Sequence, residues 1–280
     1  MGVQKYARNR SAVARTCPCG KNNRDGKFAP FESNPRAGYC HSCSQFVGEK
    51  KQIPLTSPQS LPAPSFMPRE EVKKTRKVWM HSAFAQWFKK LSPDRSAEVL
   101  RMYCVGTYTH KGSVYVVFWQ IDVRERVRSG KMMRYHPNGK RFQNQYGTHW
   151  IHAAKKLPEY HYSRCLFGEH LLPKFKKKRV GIVESEKTAL VLALFFPKTI
   201  WLATGGKSNL KFKRDLLNEL KGREVTVYPD AGCYEDWQPT AQRHQFKTSF
   251  FLEKKYQRGV IENGADLADW LLRKIERETA

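Results

Sequence analysis

The sequence contains no apolar run long enough to cross a lipid bilayer. Its longest such run, residues 189–197, is far shorter than the roughly 20 residues that a membrane helix needs. The N-terminal residues are polar, so the sequence indicates neither a signal peptide nor a membrane segment. We therefore expect a cytoplasmic protein without a membrane partner.

Acidic residues are scarce in this sequence. The chain of 280 residues has 25 Asp and Glu against 51 Lys and Arg, which gives a formal net charge of +26, and no single tail carries the excess. A surface this positive favours a polyanionic partner. Nucleic acid is favoured over a membrane because no basic amphipathic helix stands out.

Disulfides are not expected, because a cytosolic chain keeps its cysteines reduced. The seven cysteines present indicate metal binding instead. Two pairs lie near the N-terminus, Cys17 with Cys19 and Cys40 with Cys43. Two pairs of thiolates on tight turns predict a tetrahedral structural Zn²⁺ site in a small ribbon of strands. The first pair is C-x-C rather than C-x₂-C, which leaves His41 as an alternative to one sulfur.

A proline-rich stretch follows these cysteines. Five prolines lie between residues 53 and 68 among Ser and Gln, a composition that cannot build a core but makes a stiff, extended tether. The expected domain order is a zinc-ribbon domain at 1–52, a linker at 53–71, a basic α+β subdomain at 72–178 and an α/β domain at 179–280.

The basic subdomain opens with a helical pattern at residues 72–100. Its aromatic side chains share one face, which favours an amphipathic packing helix over a base-stacking platform. Alternation then predicts a hairpin or meander that includes strands at 114–119 and 126–135. The second strand and its continuation carry closely spaced cations that suit phosphates, with a solvated charged face as the alternative. These cations are Lys131, Arg134, Lys140 and Arg141.

Two strands in the C-terminal half run into a carboxylate. Residues 180–183 alternate like a strand up to Glu184, after which an apolar helix begins. Residues 223–230 alternate in the same way and end in Asp230. Because the carboxyl ends of parallel strands meet at one edge of a sheet, both acids are expected there, placed for metal or proton chemistry. Helix capping is the alternative for Glu184.

Between these two strands lie the other elements of a βαβαβ unit. A strand at 199–203, a Gly-Gly turn and a helix at 208–220 predict a parallel sheet. The turn sequence T-G-G-K-S is not a Walker A loop, because Trp201 stands where that motif needs glycine, so no helicase motor is expected. Its backbone N–H groups and Lys207 can still bind an anion.

The acidic motifs resemble the TOPRIM domain shared by bacterial-type primases, topoisomerases and some nucleases. V-E-S-E-K-T at Glu184 is close to the E-G-E-K-T form of phage and plasmid primases. Y-P-D-A-G at Asp230 matches the Asp-x-Asp motif in part, because Gly232 replaces the second Asp. The closing N-G-A-D-L-A-D-W is similar to the K-D-x-x-D-type sequence that ends such domains, with helix capping as the alternative for Asp266. The cysteine pairs and the basic strand resemble the zinc ribbon and the strand before TOPRIM in primases.

The resemblance covers nearly the whole chain and is to bacterial and phage-type (DnaG-like) DNA primases of the small phage or mobile-element kind. It implies an α/β fold in which a TOPRIM-type parallel sheet flanked by helices follows a basic α+β subdomain and a small zinc ribbon. It also implies structural Zn²⁺ and catalytic Mg²⁺ or Mn²⁺. The implied ligands of the catalytic ion are Glu184, Asp230, Asp266 and Asp269, with Glu235 as a further candidate and Lys187 as the basic neighbour.

The activity implied by this resemblance is metal-dependent nucleotidyl transfer. Such a protein makes short oligonucleotide primers from NTPs on single-stranded DNA in phage or mobile-element replication, alongside a separate replicative helicase. Two alternatives stay open. One is a TOPRIM nuclease that uses the same acids. The other is a non-catalytic nucleic-acid-binding protein with a degenerate TOPRIM domain, which the missing second Asp favours.

Overall fold

The computed structural model describes residues 6–17, 20, 22–24, 26–40, 45–47, 63–142, 148–212, 217 and 219–279. The chain divides into two compact units, residues 1–61 and 62–280. This division falls inside the stretch 53–71 that composition predicts as a linker, and residues 53–62 lie outside the described part. In the described ranges, no helix is both long enough and apolar enough to be a membrane span.

The first unit is a small antiparallel sheet with one helical turn. Its elements are α1 (Arg10–Val13), β1 (Phe28–Phe31), β2 (Asn34–Cys40) and β3 (Gln45–Val47), and the strand order is β1-β2-β3. Buried Asn23 ties the loop before β1, because its amide nitrogen donates to the Ala14 and Phe28 carbonyls at 2.8 and 3.0 Å. The Phe28 N–H donates back to the Asn23 side-chain oxygen at 2.6 Å.

The second unit begins before the predicted end of the linker. Met67 is buried, and its N–H donates to the Val127 carbonyl at 2.8 Å. The helical elements that follow are α2 (Arg69–Lys77), a 3₁₀ turn (Trp79–His81), α3 (Ala83–Leu91) and α4 (Ser96–Met102). The helical pattern at 72–100 is thus divided. Ser82 caps α3 by accepting the Ala85 N–H at 3.2 Å, and Pro93 ends α3 by holding the residue before it extended.

The aromatic face of α3 is buried, as the packing interpretation predicted; its members are Phe84, Trp87 and Phe88. They pack towards an antiparallel sheet of order β4-β5-β6-β7. The strands of this sheet are β4 (Gly106–His110), β5 (Ser113–Ile121), β6 (Val127–Met133) and β7 (Thr148–Trp150), followed by α5 (Ile151–Ala154) and a 3₁₀ turn (Glu169–Leu171). The predicted hairpin is therefore β5 and β6, whose register places Lys131 opposite Phe118.

A parallel sheet of order β11-β10-β8-β9 forms the other layer of the second unit. Its strands are β8 (Arg179–Val183), β9 (Thr199–Ala203), β10 (Val225–Val227) and β11 (Lys247–Thr248). The helices around it are α6 (Glu186–Phe195), α7 (Lys207–Phe212), α8 (Tyr234–Arg243), α9 (Phe251–Gln257) and α10 (Leu267–Thr279). The predicted βαβαβ order and parallel sheet are confirmed. Strand β10 is shorter than the predicted 223–230.

The antiparallel and parallel sheets share one hydrophobic core. Phe118 of β5 and Phe167 belong to the same buried cluster as Ile182 of β8 and the apolar residues of α6. The Tyr103 hydroxyl crosses between the layers and donates to the Trp201 carbonyl at 2.9 Å. Because Lys131 is on the same face of its sheet as Phe118, it points towards the parallel sheet rather than towards solvent.

Candidate active site

The two strand-ending carboxylates, Glu184 and Asp230, lie together. Glu184 directly follows β8, and Asp230 follows β10, which pairs with β8. The Tyr228 N–H continues this pairing by donating to the Ile182 carbonyl at 2.8 Å. A hydrogen bond joins the Glu184 and Asp230 side chains. Two adjacent parallel strands therefore deliver both acids to one edge of the sheet.

The pKa values of both carboxyl groups are raised. Burial, followed by the charges of Glu184, Asp266 and Asp269, raises the pKa of Asp230 to about 9. Burial also raises the pKa of Glu184, against the opposing effects of the Lys207 backbone N–H and the positive charge of Lys131. Two such acids cannot both ionise side by side without a compensating cation. Burial and mutual repulsion therefore both favour the neutral form of these carboxyl groups when no cation is bound.

The Gly-Gly turn that the sequence predicted as an anion site holds the Glu184 carboxylate. The backbone N–H of Lys207 donates to the Glu184 side chain, and the Gly205 N–H donates to the Glu184 carbonyl at 2.8 Å. The Lys207 ammonium lies 2.8 Å from an Asp236 carboxylate oxygen. The start of α7 thus orients Glu184, in the way that helix N-termini bind anions.

Asp266 and Asp269, at the start of α10, return to the same edge. Asp266 Oδ1 accepts the Asp269 N–H at 2.8 Å, which is a helix cap, and its Oδ2 accepts the Thr188 hydroxyl at 2.6 Å. Burial, followed by the charge of Asp269, raises the pKa of Asp266. Asp266 also contributes to the raised pKa values of Glu184 and Asp230. Asp266 therefore caps α10 and also adds an acidic group next to Glu184 and Asp230.

The donor set suits a hard divalent cation. In the part of the chain that the structure describes, no group of three or more His, Cys, Asp or Glu side chains is arranged closely enough to hold a metal ion by itself. Mg²⁺ does not require such a cage, because it keeps several waters and binds through one or two carboxylates plus substrate phosphates. The hydrogen-bonded Glu184 and Asp230 carboxyl groups fit that requirement, with Asp266 close to them.

Glu186 and Lys131 form a buried ion pair beside this edge. Lys131 Nζ lies 2.9 and 3.1 Å from the two Glu186 carboxylate oxygens and donates to the Gly205 carbonyl at 3.1 Å. The side chains are 10% and 2% exposed. Gly205 has a φ of +73°, and a Cβ there would lie 2.9 Å from Glu186 Oε1, so the turn needs glycine. The sequence assigned Lys131 to phosphates, whereas in the fold its ammonium is bound to Glu186.

Lys187 and the basic turn after β6 both pack against the ring of Trp87. Lys187 Nζ is 5.3 Å from the Trp87 ring centroid and 3.8 Å from Asp269 Oδ1. Gly139 contacts the same ring so closely that a Cβ there would lie 2.2 Å from Trp87 Cε2. Two exposed cations follow directly, Lys140 and Arg141. Gly139 of the basic turn and the Lys187 ammonium therefore both lie against Trp87, and Lys187 also lies near Asp269.

Arg134 lies at the base of that turn, where its carbonyl accepts the Phe142 N–H at 3.1 Å. Its guanidinium is 4.5 Å from the Phe142 ring centroid and 6.0 Å from that of Tyr115. It is half-buried against these rings. The four cations predicted for phosphate contacts thus occupy three different environments: Lys131 is in an ion pair, Arg134 is stacked, and Lys140 with Arg141 is exposed.

The position of the missing second Asp is occupied by a tight turn. Gly232 has a φ of +75°, and a Cβ there would lie 2.3 Å from Asn263 Oδ1. Its N–H donates to a Glu253 carboxylate oxygen at 3.0 Å. Glu253, which sequence reasoning missed, thus bonds to this loop from α9. Glu235 is exposed on the first turn of α8.

Two of the four predicted zinc ligands lie in the described part of the first unit. Cys17 and Cys40 are both buried and belong to one cluster with Phe28. Cys19, Cys43 and the alternative ligand His41 lie outside the described residues. The fold therefore places one cysteine from each predicted pair in the same small core.

A family model described as a domain of unknown function (DUF6371) matches residues 82–231. This range includes the basic hairpin and runs through both strand-ending acids. No curated protein matches the chain.

Among solved structures, the chain is similar to catalytic parts of primases at low sequence identity. For the primase fragment of the bacteriophage T7 primase-helicase protein, identity is 12%, coverage is 87% of this chain and 92% of that one, and the TM-score is 0.44. For the RNA polymerase domain of Mycobacterium tuberculosis primase DnaG, these values are 12%, 72%, 76% and 0.47. For the E. coli primase catalytic core, they are 14%, 73%, 74% and 0.44.

Proposed function

The chain belongs to the family described as a domain of unknown function (DUF6371), and we propose that it is a primase-like nucleotidyltransferase. The observation that carries the proposal is the pair of hydrogen-bonded carboxyl groups, Glu184 and Asp230, at the carboxyl edge of a parallel sheet. The sheet, together with residues 179–280, would be the TOPRIM domain that the sequence motifs resemble.

The two acids would hold Mg²⁺ or Mn²⁺ at this edge, with Asp266 or Asp269 supplying what Gly232 does not. When bound, such an ion neutralises triphosphate charge and favours attack by a 3′ hydroxyl. The residues of the chain have separate tasks. The Lys207 N–H orients the Glu184 carboxylate, and Thr188 with the Asp269 N–H orients Asp266.

The substrates proposed are NTPs and a single-stranded DNA template, and the product is a short primer. Lys140 and Arg141 are exposed and are suited to phosphates, which fixed cations bind without reading sequence. We assign Lys131 a positioning task, because its ammonium holds Glu186 and the Gly205 carbonyl. We also propose that the protein acts in the cytoplasm, in phage or mobile-element replication, alongside a separate replicative helicase.

We propose that the first unit is a zinc ribbon in which Cys17, Cys19, Cys40 and Cys43 hold one Zn²⁺. The burial of Cys17 and Cys40 in one cluster supports this assignment. A segment with so small an apolar core also needs additional stabilisation, which a structural metal supplies.

The proposed zinc site predicts the zinc content of the purified protein. Purified protein should contain about one equivalent of zinc per chain, as a four-thiolate structural site does. Cys40→Ser should lose it, measured by elemental analysis after gel filtration. Cys104→Ser is the matched control, because Cys104 is also buried but lies in the second unit. Stoichiometric zinc in Cys40→Ser would contradict the four-cysteine assignment.

One observation favours a second candidate, a non-catalytic nucleic-acid-binding protein. Gly232 replaces an acid of the motif, and its φ of +75° strains the backbone of any other residue at this position. The test is incubation of the protein with labelled NTPs, single-stranded DNA and Mg²⁺ or Mn²⁺. Short metal-dependent oligonucleotides are the expected result. Shortened DNA would instead indicate a nuclease, and binding without either product would establish the non-catalytic alternative.

A further inference from the structure

A group of exposed aromatic side chains surrounds α9. Phe250, Phe251 and Tyr256 are 41%, 39% and 36% exposed, and Trp270 of α10 packs edge-on against Phe251 with ring centroids 4.8 Å apart. We name these four residues the α9 aromatic patch. Phe250 packs edge-on against Tyr234, with ring centroids 4.8 Å apart. Single exposed apolar residues are ordinary, but several exposed rings on one short segment indicate a binding surface.

The rings of the α9 aromatic patch are bordered by cations. Lys255 Nζ lies 5.0 Å from the Phe251 centroid and 5.4 Å from the Trp270 centroid, and Lys274 Nζ lies 5.8 Å from the latter. Two further basic residues, Lys254 and Arg258, are exposed on and just after α9. Alternating rings and ammonium groups match the chemistry of a single nucleic-acid strand, whose bases stack and whose phosphates need positive charge.

The α9 aromatic patch adjoins the loops that carry the acids. Glu253 of α9 accepts the Gly232 N–H, two residues after Asp230. A Cβ on Gly232 would lie 3.6 Å from Tyr256 Cε1. Trp270 directly follows Asp269 along α10. The α9 aromatic patch is therefore joined to the loop that carries Asp230 through Glu253 and Tyr256.

We propose that the α9 aromatic patch binds single-stranded nucleic acid, with bases stacked on Phe250 and Phe251 and phosphates against Lys254 and Lys255. The positive border and the chain's net charge of +26 favour this polyanion over a protein partner. Binding at the patch needs no catalysis. Its function as a path for template or product rests on the proposed primase-like function.

The test is binding of fluorescently labelled oligo(dT) to the full-length protein in EDTA, followed by anisotropy. Phe250→Leu with Phe251→Leu keeps apolar volume but removes both rings, and should weaken binding roughly tenfold or more with little change in salt dependence. Lys254→Ala with Lys255→Ala should lower the slope of log K against log salt by about one to two. A DNA duplex of the same length should compete poorly, because its bases are already paired and stacked.

The matched control is Phe196→Leu, since Phe196 is 46% exposed at the end of α6, away from α9 in sequence. It should bind like the wild type. Wild-type affinity in the double Phe variant, an equal loss in the control, or equal competition by duplex would each overturn the proposal.

If the double Phe variant does not fold, Phe251→Leu alone is measured, and unchanged affinity then overturns stacking at that ring. Dissociation of a wild-type dimer in the variant, with DNA binding unchanged, would assign the patch to self-association. Because no metal or NTP is present, these results are independent of whether the chain synthesises primers.

Discussion

Asp230→Asn should stabilise the metal-free protein at pH 7.5. The amide mimics the neutral carboxyl group that burial and the neighbouring acids favour. Each pKa unit is worth about 1.4 kcal/mol of preference between protonation states. Even part of this shift therefore predicts that the substitution raises the free energy of unfolding by about 2 kcal/mol. For a unit of this size, that corresponds to roughly 4–8 °C in unfolding temperature. Thermal unfolding in EDTA checks this value.

The effect of Asp230 on stability has a definite pH dependence. In the unfolded chain its carboxyl group loses its proton near 3.8, whereas in the fold it keeps the proton up to about 9. Its contribution to stability is therefore full below 3.8 and is lost as pH rises towards 9. Asp230→Asn should lack this loss, so its advantage over the wild type should grow between pH 5 and 9.

With Mg²⁺ bound, the wild type should have a higher unfolding temperature than Asp230→Asn, the reverse of the order in EDTA. Bound cation replaces the proton in the wild type and raises its unfolding temperature by mass action, while Asp230→Asn should respond weakly. The matched control is Asp94→Asn, which changes an exposed acid and should behave like the wild type in both conditions. A metal-free Asp230→Asn protein less stable than the wild type would contradict the account of a strained acid pair.

Lys131→Met should destabilise the protein strongly. It leaves the Glu186 carboxylate, which is 2% exposed, without its cation, and it removes the donor to the Gly205 carbonyl. Breaking a buried ion pair from one side costs about 3–5 kcal/mol, because an uncompensated charge stays buried. The free energy of unfolding, measured by urea denaturation at pH 7.5, should fall by that amount.

A double variant separates this mechanism from a simple packing defect. Lys131→Met with Glu186→Leu removes both charges and should recover most of the loss, since buried pairs can be replaced by apolar residues at little cost. Lys73→Met is the surface control. Its partner Glu70 lies 3.6 Å away and both side chains are about two-thirds exposed, so the change should stay within about 0.5 kcal/mol. A single Lys131→Met as mild as this control would show that the Glu186 charge is not buried.

Local pattern was sufficient to predict the parallel sheet and the pairing of its acids. The alternation before Glu184 switches directly to an apolar helix, and adjacent parallel strands leave little choice about where their ends lie. The β5–β6 hairpin was visible for the same reason. Asp266 was a candidate because N-G-A-D-L-A-D-W resembles the K-D-x-x-D-type sequence that closes TOPRIM domains. Its predicted alternative, the helix cap, is present in the fold, and its role as a metal ligand stays a prediction.

The partner of Lys131 could not be read from local pattern. A lysine within a run of cations looks the same in the sequence whether its strand face is solvated or buried. Here the face is buried, and the partner of Lys131 is Glu186, 55 residues later in the chain. One signal was available, since residue 131 shares a strand face with the apolar Met133. The division of residues 72–100 was also missed, because periodicity continues across Ser82 and Pro93 although the helix does not.

The most direct test of the central claim compares the wild type with Glu184→Gln in primer synthesis on single-stranded DNA. The variant keeps side-chain shape but removes the charge that would hold the cation. Its folding and its affinity for oligo(dT) should match those of the wild type. Its incorporation of labelled NTP should fall by about 10²-fold or more, the scale of losing one electrostatic contact to a transition state. Equal synthesis by both proteins, or no metal-dependent synthesis by the wild type with either Mg²⁺ or Mn²⁺, would contradict the account.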